Sequence, residues 1–487
     1  MKGIKIQIQF ITIITKTFKS NIMKNLSQFK SSLFLVVALL ATFNLMAQRT
    51  EINYSRQYDK SGINVFETTK LDTVPYNGIA VRLNGGFTQQ LQMLDHSNNA
   101  DVILKDNTLT TTAGDSININ NLYPLTNGFN LATANLIIDA QLADGIYVRL
   151  ENYMSARHHN EFWVKGGFIQ VDKLPMFNNP EWYSKNFTIK VGDLEVNYGD
   201  AHFYRTDNAN AIYNSFVGEN ILDEFATEIA GEIYFKPENG VIAMLGMSSG
   251  LLNADLSIFK DPVTFDTISR KPSIYGKLGY DKQLNEDLRL RLTASVYNNS
   301  GTSRNTLFSG DRAGSRYYLA GEPQYYYVGT ALTASTPTNK AFSGRIDPGF
   351  SSEVMGIMIN PFVKFQGLEI FGTYEMVKGD AKLSNVADSV KRDFSQIAIQ
   401  GVYRFLPEEQ CYVGVRYNTV NGRLFGYTDT DGDITINRIQ VAAGWFPTEN
   451  LLLKLEYVTE DYLDFKTSDY RSELNFKGVM FEAAVGF

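Results

Sequence analysis

About sixteen segments of this chain alternate apolar and polar side chains, and no other feature limits its fold as strongly. In segment 286–299, Leu290 and Leu292 share one face, whereas Arg289 and Arg291 share the other. A period of two places successive side chains on opposite faces of a β-strand. Strands are therefore predicted at 79–93, 128–142, 145–156, 162–173, 187–196, 222–236, 240–250, 272–282, 286–299, 352–366, 368–378, 392–405, 409–419, 432–446, 450–462 and 472–487.

The connections between these strands alternate in length. Tight turns such as Ala143-Asp144 and Gln366-Gly367 alternate along the chain with long polar loops such as 94–127 and 300–351. Short turns on one side and long loops on the other are typical of outer-membrane barrels. Beyond the N-terminal region no run of ~20 apolar residues occurs, which a membrane-spanning helix would need. The pattern predicts an all-β fold, a transmembrane antiparallel β-barrel of about 16 strands over 78–487.

Aromatic residues stand at the strand ends beside the tight turns, where a membrane interface favours them. The set comprises Phe235, Tyr280, Phe365, Phe405, Trp445 and Phe487. The last of these ends an apolar strand face, and barrels with such a terminal aromatic resemble clients of the outer-membrane assembly machinery. Phe487 is therefore predicted to be an assembly signal, and that machinery, lipids and lipopolysaccharide are predicted partners.

The N-terminal region resembles a secretory leader. An apolar run at 33–40 follows Lys24 and Lys30, and small or apolar residues lead to Ala47. Residues 1–47 are predicted to be a signal peptide, with Met23 as an alternative start. Residues 48–77 are polar and lack a clear period, which predicts an N-terminal periplasmic extension. The predicted location is the outer membrane of a Gram-negative bacterium.

Charge and composition exclude several classes of function. Removing the six lysines of 1–47 from the formal net charge of −7 leaves −13, which does not suit a nucleic-acid binder. With 1 cysteine and 4 histidines, and no nucleophile–base arrangement apparent, we expect no enzyme, no cofactor and no metal site. The 429–433 acidic stretch is interpreted as a hairpin turn rather than a calcium loop, and His158-His159 as an ordinary loop pair.

The connection 197–221, the third long loop, is predicted to fold inward and narrow the pore. It joins the fifth and sixth strands, and a barrel of about sixteen strands is too wide to select small solutes by its wall alone. The alternative is that 197–221 is an ordinary surface loop. Loop 300–351 is the competing candidate for the constriction, and its other candidate roles are to cap the mouth of the pore or to bind a partner. The predicted constriction residues are Asp200, His202, Arg205, Asp207 and Glu219, with Arg205 opposing Asp200 and Asp207.

Strand parity also predicts which charged residues line the lumen. The predicted wall residues are Arg82, Arg149, Lys165, Lys190, Lys277, Arg289, Arg291 and Arg438. Basic groups outnumber acidic ones on the predicted wall, and rings of Arg and Lys favour anions in a pore. Mutual pairing across the wall is the alternative, and loop charges are able to reverse the selectivity.

Three stretches resemble the phosphate-selective porin O and P family, in its Bacteroidetes type. They are Gly85-Gly86-Phe87-Thr88-Gln89-Gln90, the run from Val191-Gly192-Asp193 to Tyr198-Gly199-Asp200, and Phe487. Signal cleavage before Gln48 and aromatic-rich strands also resemble Bacteroidetes outer-membrane proteins. The resemblance implies a homotrimeric porin. Arg205 is the only arginine in its loop, so the family's arginine-bearing constriction is not clearly matched.

The sequence therefore predicts a porin for passive diffusion of small hydrophilic solutes or ions, with a lean toward anions. The alternative is a barrel with a secretion or assembly role, or a barrel enzyme. A fatty-acid transporter would need an apolar lumen, which inward Arg, Lys and Glu oppose. Residues 48–77 are too few for the plug of an active transporter, whose barrel is larger.

Overall fold

Hydrogen bonds between neighbouring strands close the chain into one barrel. The computed structural model describes residues 51–109, 114–155, 162–250, 271–302, 305–309, 315–340, 342–350, 352–380 and 391–487. The predicted signal peptide and His158-His159 lie outside these residues. The barrel strands are β1 Ala80–Ser97, β2 Gly128–Ala143, β3 Ile146–Ser155, β4 Trp163–Val171, β5 Phe187–Glu195, β6 Thr227–Phe235, β7 Val241–Ser248, β8 Ser273–Gln283, β9 Leu288–Asn299, β10 Glu353–Phe365, β11 Leu368–Asp380, β12 Arg392–Phe405, β13 Cys411–Gly422, β14 Ile434–Thr448, β15 Leu451–Leu463 and β16 Asn475–Gly486.

Each strand pairs antiparallel with its neighbour in the sequence, and β1 pairs with β16 to close the ring. The closing register runs from Gly86 opposite Gly486 to Ser97 opposite Asn475. The predicted barrel of about 16 antiparallel strands is confirmed. The largest errors are at β6, which begins five residues later than predicted, and at β1, which ends four residues later.

Alternation sets the two faces of the wall, as β12 shows. Gln396 and Arg404 are buried, whereas Ile397, Ile399 and Tyr403 between them are exposed. The exposed face of the barrel is thus apolar and the covered face is polar, which is the reverse of a soluble protein.

The two ends of the barrel differ, and we call them the turn end and the loop end. At the turn end, Gln366 and Gly367 alone separate β10 from β11. The turn-end connection 174–186 contains a 3₁₀ turn, Pro175–Phe177, and a short helix, α1, Glu181–Asn186. In the described residues, no helix is long and apolar enough to cross a membrane.

Two small hairpins in the long loops were not predicted. Leu104–Asp106 pairs with Ser116–Asn118, and Tyr325–Val328 pairs with Ala331–Ala334. Strands of three or four residues are too short for a period of two to be recognised in the sequence.

Candidate functional site

Three segments contact the covered face of the barrel wall. They are the N-terminal segment (52–74), the β5–β6 loop (196–226) and the described parts of the β9–β10 loop (300–352). Apolar side chains from the two loops, such as Phe216, Ile221 and Tyr317, pack in clusters with buried wall residues such as Val354 and Val458. The space that these strands surround therefore holds a packed core as well as polar groups.

Wall side chains satisfy the backbone of the β5–β6 loop. Lys454 of β15 donates to the carbonyl oxygens of Ala211, Asn214 and Phe216 at 3.1 to 3.2 Å. Buried backbone groups need such partners, because no water replaces the lost hydrogen bonds. Further backbone groups of the loop bond to Asn135 of β2, Asn360 of β10, Gln396 of β12, Asn418 of β13 and Glu456 of β15.

Gly199 lets the loop approach β10 closely. Its φ is +71°, a conformation that favours glycine, and a Cβ there would lie 2.1 Å from Sδ of Met358. The next residue, Asp200, donates its backbone N–H to Asn360 at 2.9 Å. The loop is thus fixed against the wall from its first turn.

Asp200 lies in a buried charge network rather than opposite Arg205. Its carboxylate is 2.9 Å from Nζ of Lys277 and 2.8 Å from the Arg291 guanidinium, and it accepts a hydrogen bond from Thr293 at 2.7 Å. Burial opposes ionisation, but Arg291 and Lys277 lower the pKa of Asp200 to about 2. The predicted opposition of Arg205 and Asp200 is wrong, because the two wall cations hold Asp200.

Arg205 pairs with Asp223 and Asp207, both at 3.1 Å, and lies over the ring of Phe225 at 4.1 Å. The predicted contact with Asp207 is present, and Asp207 also pairs with Lys165 of β4. The guanidinium is 3% exposed, so it ties the loop together rather than facing open solvent.

The other two predicted constriction residues are buried in the same loop. His202 contacts Glu195 through Nδ1 at 2.8 Å and Asn197 through Nε2 at 3.0 Å. Glu219 accepts a hydrogen bond from the backbone N–H of Thr206 at 3.0 Å. All five predicted residues come together within one packed loop, and a role in conduction stays a prediction.

Most of the predicted wall cations are paired with acids. Arg82 and Arg149 share Asp139, Lys165 contacts Asp207, Lys277 and Arg291 share Asp200, Arg289 contacts Asp281, and Arg438 contacts Glu460. The alternative of mutual pairing therefore describes these cations. Lys190 differs, since its ammonium lies 5.4 Å from the ring of Phe168 and 5.1 Å from that of Tyr234, without an ion pair within 4 Å among the described residues.

A polar chamber with a cavity volume of about 140 Å³ lies against β3 to β6. Lys190, Arg149 and Glu151 line it from the wall, and His202 lines it from the β5–β6 loop. The N-terminal segment completes it with Arg56, Tyr58, Phe66 and Glu67. A second cavity of about 20 Å³ beside Arg205 has room for about one water.

The N-terminal segment contacts the barrel wall, and its assignment as a periplasmic extension stays a prediction. Arg82 of β1 donates to Ser55 at 2.6 Å, and Asn64 donates to Glu369 of β11 at 2.6 Å. Glu67 lies 2.8 Å from Arg291 and 3.2 Å from Lys277. These residues were missed because the segment has no strand period. Apolar and aromatic residues in a polar stretch, Ile52, Tyr54, Tyr58 and Phe66, were the signals of burial.

The β9–β10 loop also reaches the wall rather than only the mouth. Tyr317 donates its hydroxyl to Glu456 at 2.7 Å, and Tyr318 exchanges backbone hydrogen bonds with the Gln92 amide at 2.8 Å. Arg316 pairs with Glu482, and the N–H of Ile346 donates to Ile221 of the β5–β6 loop at 2.8 Å. The β9–β10 loop, the competing candidate for the constriction, thus packs beside the β5–β6 loop.

Basic side chains form ion pairs with the acidic residues of the stretch 429–433. Arg423 pairs with Asp429 and Asp433, and Lys466 pairs with Asp431 at 2.9 Å. Among the described residues no group of three or more His, Cys, Asp or Glu is placed to hold a metal ion.

Comparison with known proteins gives likenesses of shape only. No family model matches the chain, and no curated protein matches it. Among solved structures, the anion-selective porin from Comamonas acidovorans is 11% identical over 84% of this chain and 100% of its own, with a TM-score of 0.47. OmpF of Salmonella typhi in complex with daunomycin is 13% identical over 85% and 99%, with a TM-score of 0.46.

The outer membrane channel DcaP of Acinetobacter baumannii is 13% identical over 84% of this chain and 98% of its own, with a TM-score of 0.45. Such scores and identities carry no argument about function. The closed barrel rests on the strand pairing of this chain itself, and the resemblance to the phosphate-selective family stays a prediction.

Proposed function

We propose that this chain is an outer-membrane channel of a Gram-negative bacterium, through which small hydrophilic solutes or ions diffuse passively. The observation that carries the proposal is a barrel with an apolar exposed face and a charged interior that retains a polar chamber of about 140 Å³. Only a closed barrel satisfies every backbone group of a strand in lipid, and polar groups inside it hold water.

The outer face supports a place in a bilayer. Leu292 is 55% exposed, Ile399 54% and Leu455 51%, and each lies in the middle part of its strand. At the turn end, exposed Trp445 and Phe487 stand where an interface would be. Outer-membrane lipids, lipopolysaccharide and the assembly machinery are the proposed partners, and a homotrimer is the proposed assembly.

Selectivity in this proposal depends on Lys190 more than on the sum of wall charges. A cation with its own acid, such as Arg438 with Glu460, creates little net field, because the two charges cancel. Lys190 lines the chamber and contacts rings, so its charge acts on a solute there. A weak lean toward anions follows, and phosphate specificity of the kind suggested by the family resemblance would need a further donor set.

A second candidate is a closed barrel with a secretion or assembly role. It is favoured by one observation, the apolar packing of the two loops inside the ring of strands, with Phe216, Ile221 and Tyr317 almost fully buried. A barrel filled in this way conducts far less than an open one of the same strand number.

Single-channel recording in planar bilayers tests the proposal. We expect discrete, small conductance steps, and a reversal potential in a salt gradient that shifts toward cations in Lys190→Glu. Lys185→Glu is the matched control, since Lys185 is exposed on α1 and pairs only with Glu181 of the same helix among the described residues. Protein that inserts but never conducts would overturn the channel function and favour the second candidate.

A further inference from the structure

The N-terminal segment crosses the whole turn end of the barrel. Its residues receive side-chain hydrogen bonds from wall positions spread around the ring. The donors are Arg82 of β1, Arg149 of β3, Gln170 of β4, Lys236 after β6, Lys277 of β8 and Arg289 of β9. A segment bonded on so many sides spans the opening rather than lying along one wall.

Glu67 holds the centre of this segment. Its carboxylate bridges Arg291 at 2.8 Å and Lys277 at 3.2 Å, while the neighbouring ring of Phe66 packs edge-on against Phe203 and Tyr204 of the β5–β6 loop. Burial opposes ionisation of Glu67, but the two cations hold its pKa well below its usual range. Glu67 is therefore held as a carboxylate between these two cations.

Withdrawing Glu67 does not leave the wall cations unpaired. Lys277 and Arg291 both keep Asp200, which belongs to the β5–β6 loop. Arg291 also keeps Asp281 at 3.1 Å. A buried charge that loses its last partner costs several kcal/mol, and this arrangement avoids that cost.

The backbone of the segment has fewer hydrogen bonds to the wall than the backbone of any strand. Among the described residues, one backbone–backbone hydrogen bond joins it to the barrel, from Lys60 N to Glu449 O at 2.9 Å. The β5–β6 loop has its own bonds to Lys454, Asn418 and Gln396. Departure of the segment leaves these bonds in place, although it breaks the ion pair between Lys70 and buried Asp172.

We propose that residues 52–74 are a removable plug that closes the turn end of the chamber. The plug supplies Arg56, Tyr58, Phe66 and Glu67 to the chamber boundary, so its departure opens the chamber toward the turn end. This inference rests on the proposed channel function. It gives the chain a closed state, with the plug seated, and an open state, with the plug displaced.

Deleting 52–74 tests the plug in bilayer recordings. We expect the open fraction to rise at least tenfold over the full chain, and conductance steps to grow. Glu67→Gln should also raise the open fraction, but by a smaller factor. The control is Glu181→Gln, an exposed acid of α1 at the same end of the barrel. Heat-modifiable mobility on gels shows which variants fold.

A reversible crosslink tests the full chain, so the result does not depend on the folding of the deletion. In a Cys411→Ser background, which removes the single native cysteine, Lys60→Cys and Glu449→Cys join plug to wall. Openings should fall at least tenfold on oxidation and return on reduction. The control pair is Leu451→Cys with Val485→Cys, register partners on β15 and β16 that lie outside the plug.

The outcomes separate the two proposals. Equal openings in the full chain, the deletion and both redox states of the crosslinked plug would overturn the plug and leave the channel function standing. Inserted protein that conducts in none of these forms would overturn the channel function and the plug with it. Loss of openings in the oxidised control pair as well would show that rigid wall closure, not the plug, stops conduction.

Discussion

A side chain of β15 is exposed or buried according to its parity in the strand. Leu455 is 51% exposed, whereas its neighbour Glu456 is fully buried and accepts hydrogen bonds from Tyr317 and Gln440. A shift of one residue in register would exchange the two environments. This is why strand positions could be read from a pattern of single residues.

Arginine at Leu455 should therefore destabilise the barrel by ~2–4 kcal/mol, because Leu455 lies near the middle of the predicted apolar band. The same change at Leu463, an outward residue at the loop end of the same strand, should cost ~0–1 kcal/mol. Denaturant titration of refolding into lipid vesicles measures both. Equal costs would contradict the proposed position of β15 in a bilayer.

The partners of a residue such as Arg205 were beyond the reach of this pattern. Its loop position was visible in the sequence, but its partner Asp223 lies in the same loop, and Arg345 from the β9–β10 loop shares that acid. Likewise Asp200 meets Lys277 and Arg291, which are far along the chain. Pairing between residues that are distant in the sequence follows no period. The strands of the wall were therefore predictable, whereas the contacts of the segments packed against them were not.

At the scale of elements, the β5–β6 loop packs together with wall residues in shared apolar clusters. Strand spacing and turn lengths follow from local alternation, which explains why all sixteen strands were predicted within a few residues of their bounds. The inserted segments obey no such rule. Their positions are set by long-range contacts, for example the bonds from wall strands β2, β10, β12, β13 and β15 to the backbone of this loop.

Arg205→Ala should loosen this loop and destabilise the barrel by ~1.5–3 kcal/mol, since it removes buried hydrogen bonds to two carboxylates. Asp207 keeps Lys165 and Asp223 keeps Arg345, so neither acid loses its last cation. Larger and noisier conductance steps should accompany this loss of stability. The control is Arg423→Ala, whose ion pairs with Asp429 and Asp433 are solvent-exposed and therefore weak. Thermal unfolding in detergent and bilayer recording give the two readouts. If both variants unfold alike, the loop is not held by Arg205.

At the scale of the whole molecule, the barrel depends on one seam between its first and last strands. Twelve register pairs join β1 to β16, from Gly86–Gly486 to Ser97–Asn475. Beyond them, Gly85 and Phe487 exchange backbone hydrogen bonds at 2.9 and 3.0 Å. A closed ring has no free strand edge, so the last bonds of the seam matter more than their number suggests.

Deletion of Phe487 should lower the amount of heat-modifiable, membrane-inserted protein several-fold, because it removes both backbone bonds to Gly85 and the exposed aromatic ring. Phe487→Ala is the matched variant, since it keeps the backbone bonds and loses only the ring. A defect confined to the deletion would assign the role to closure of the seam. Equal defects would assign it to the ring, as an assembly signal requires. Unchanged insertion of the deleted chain would contradict both roles, because the seam would then close without its last residue.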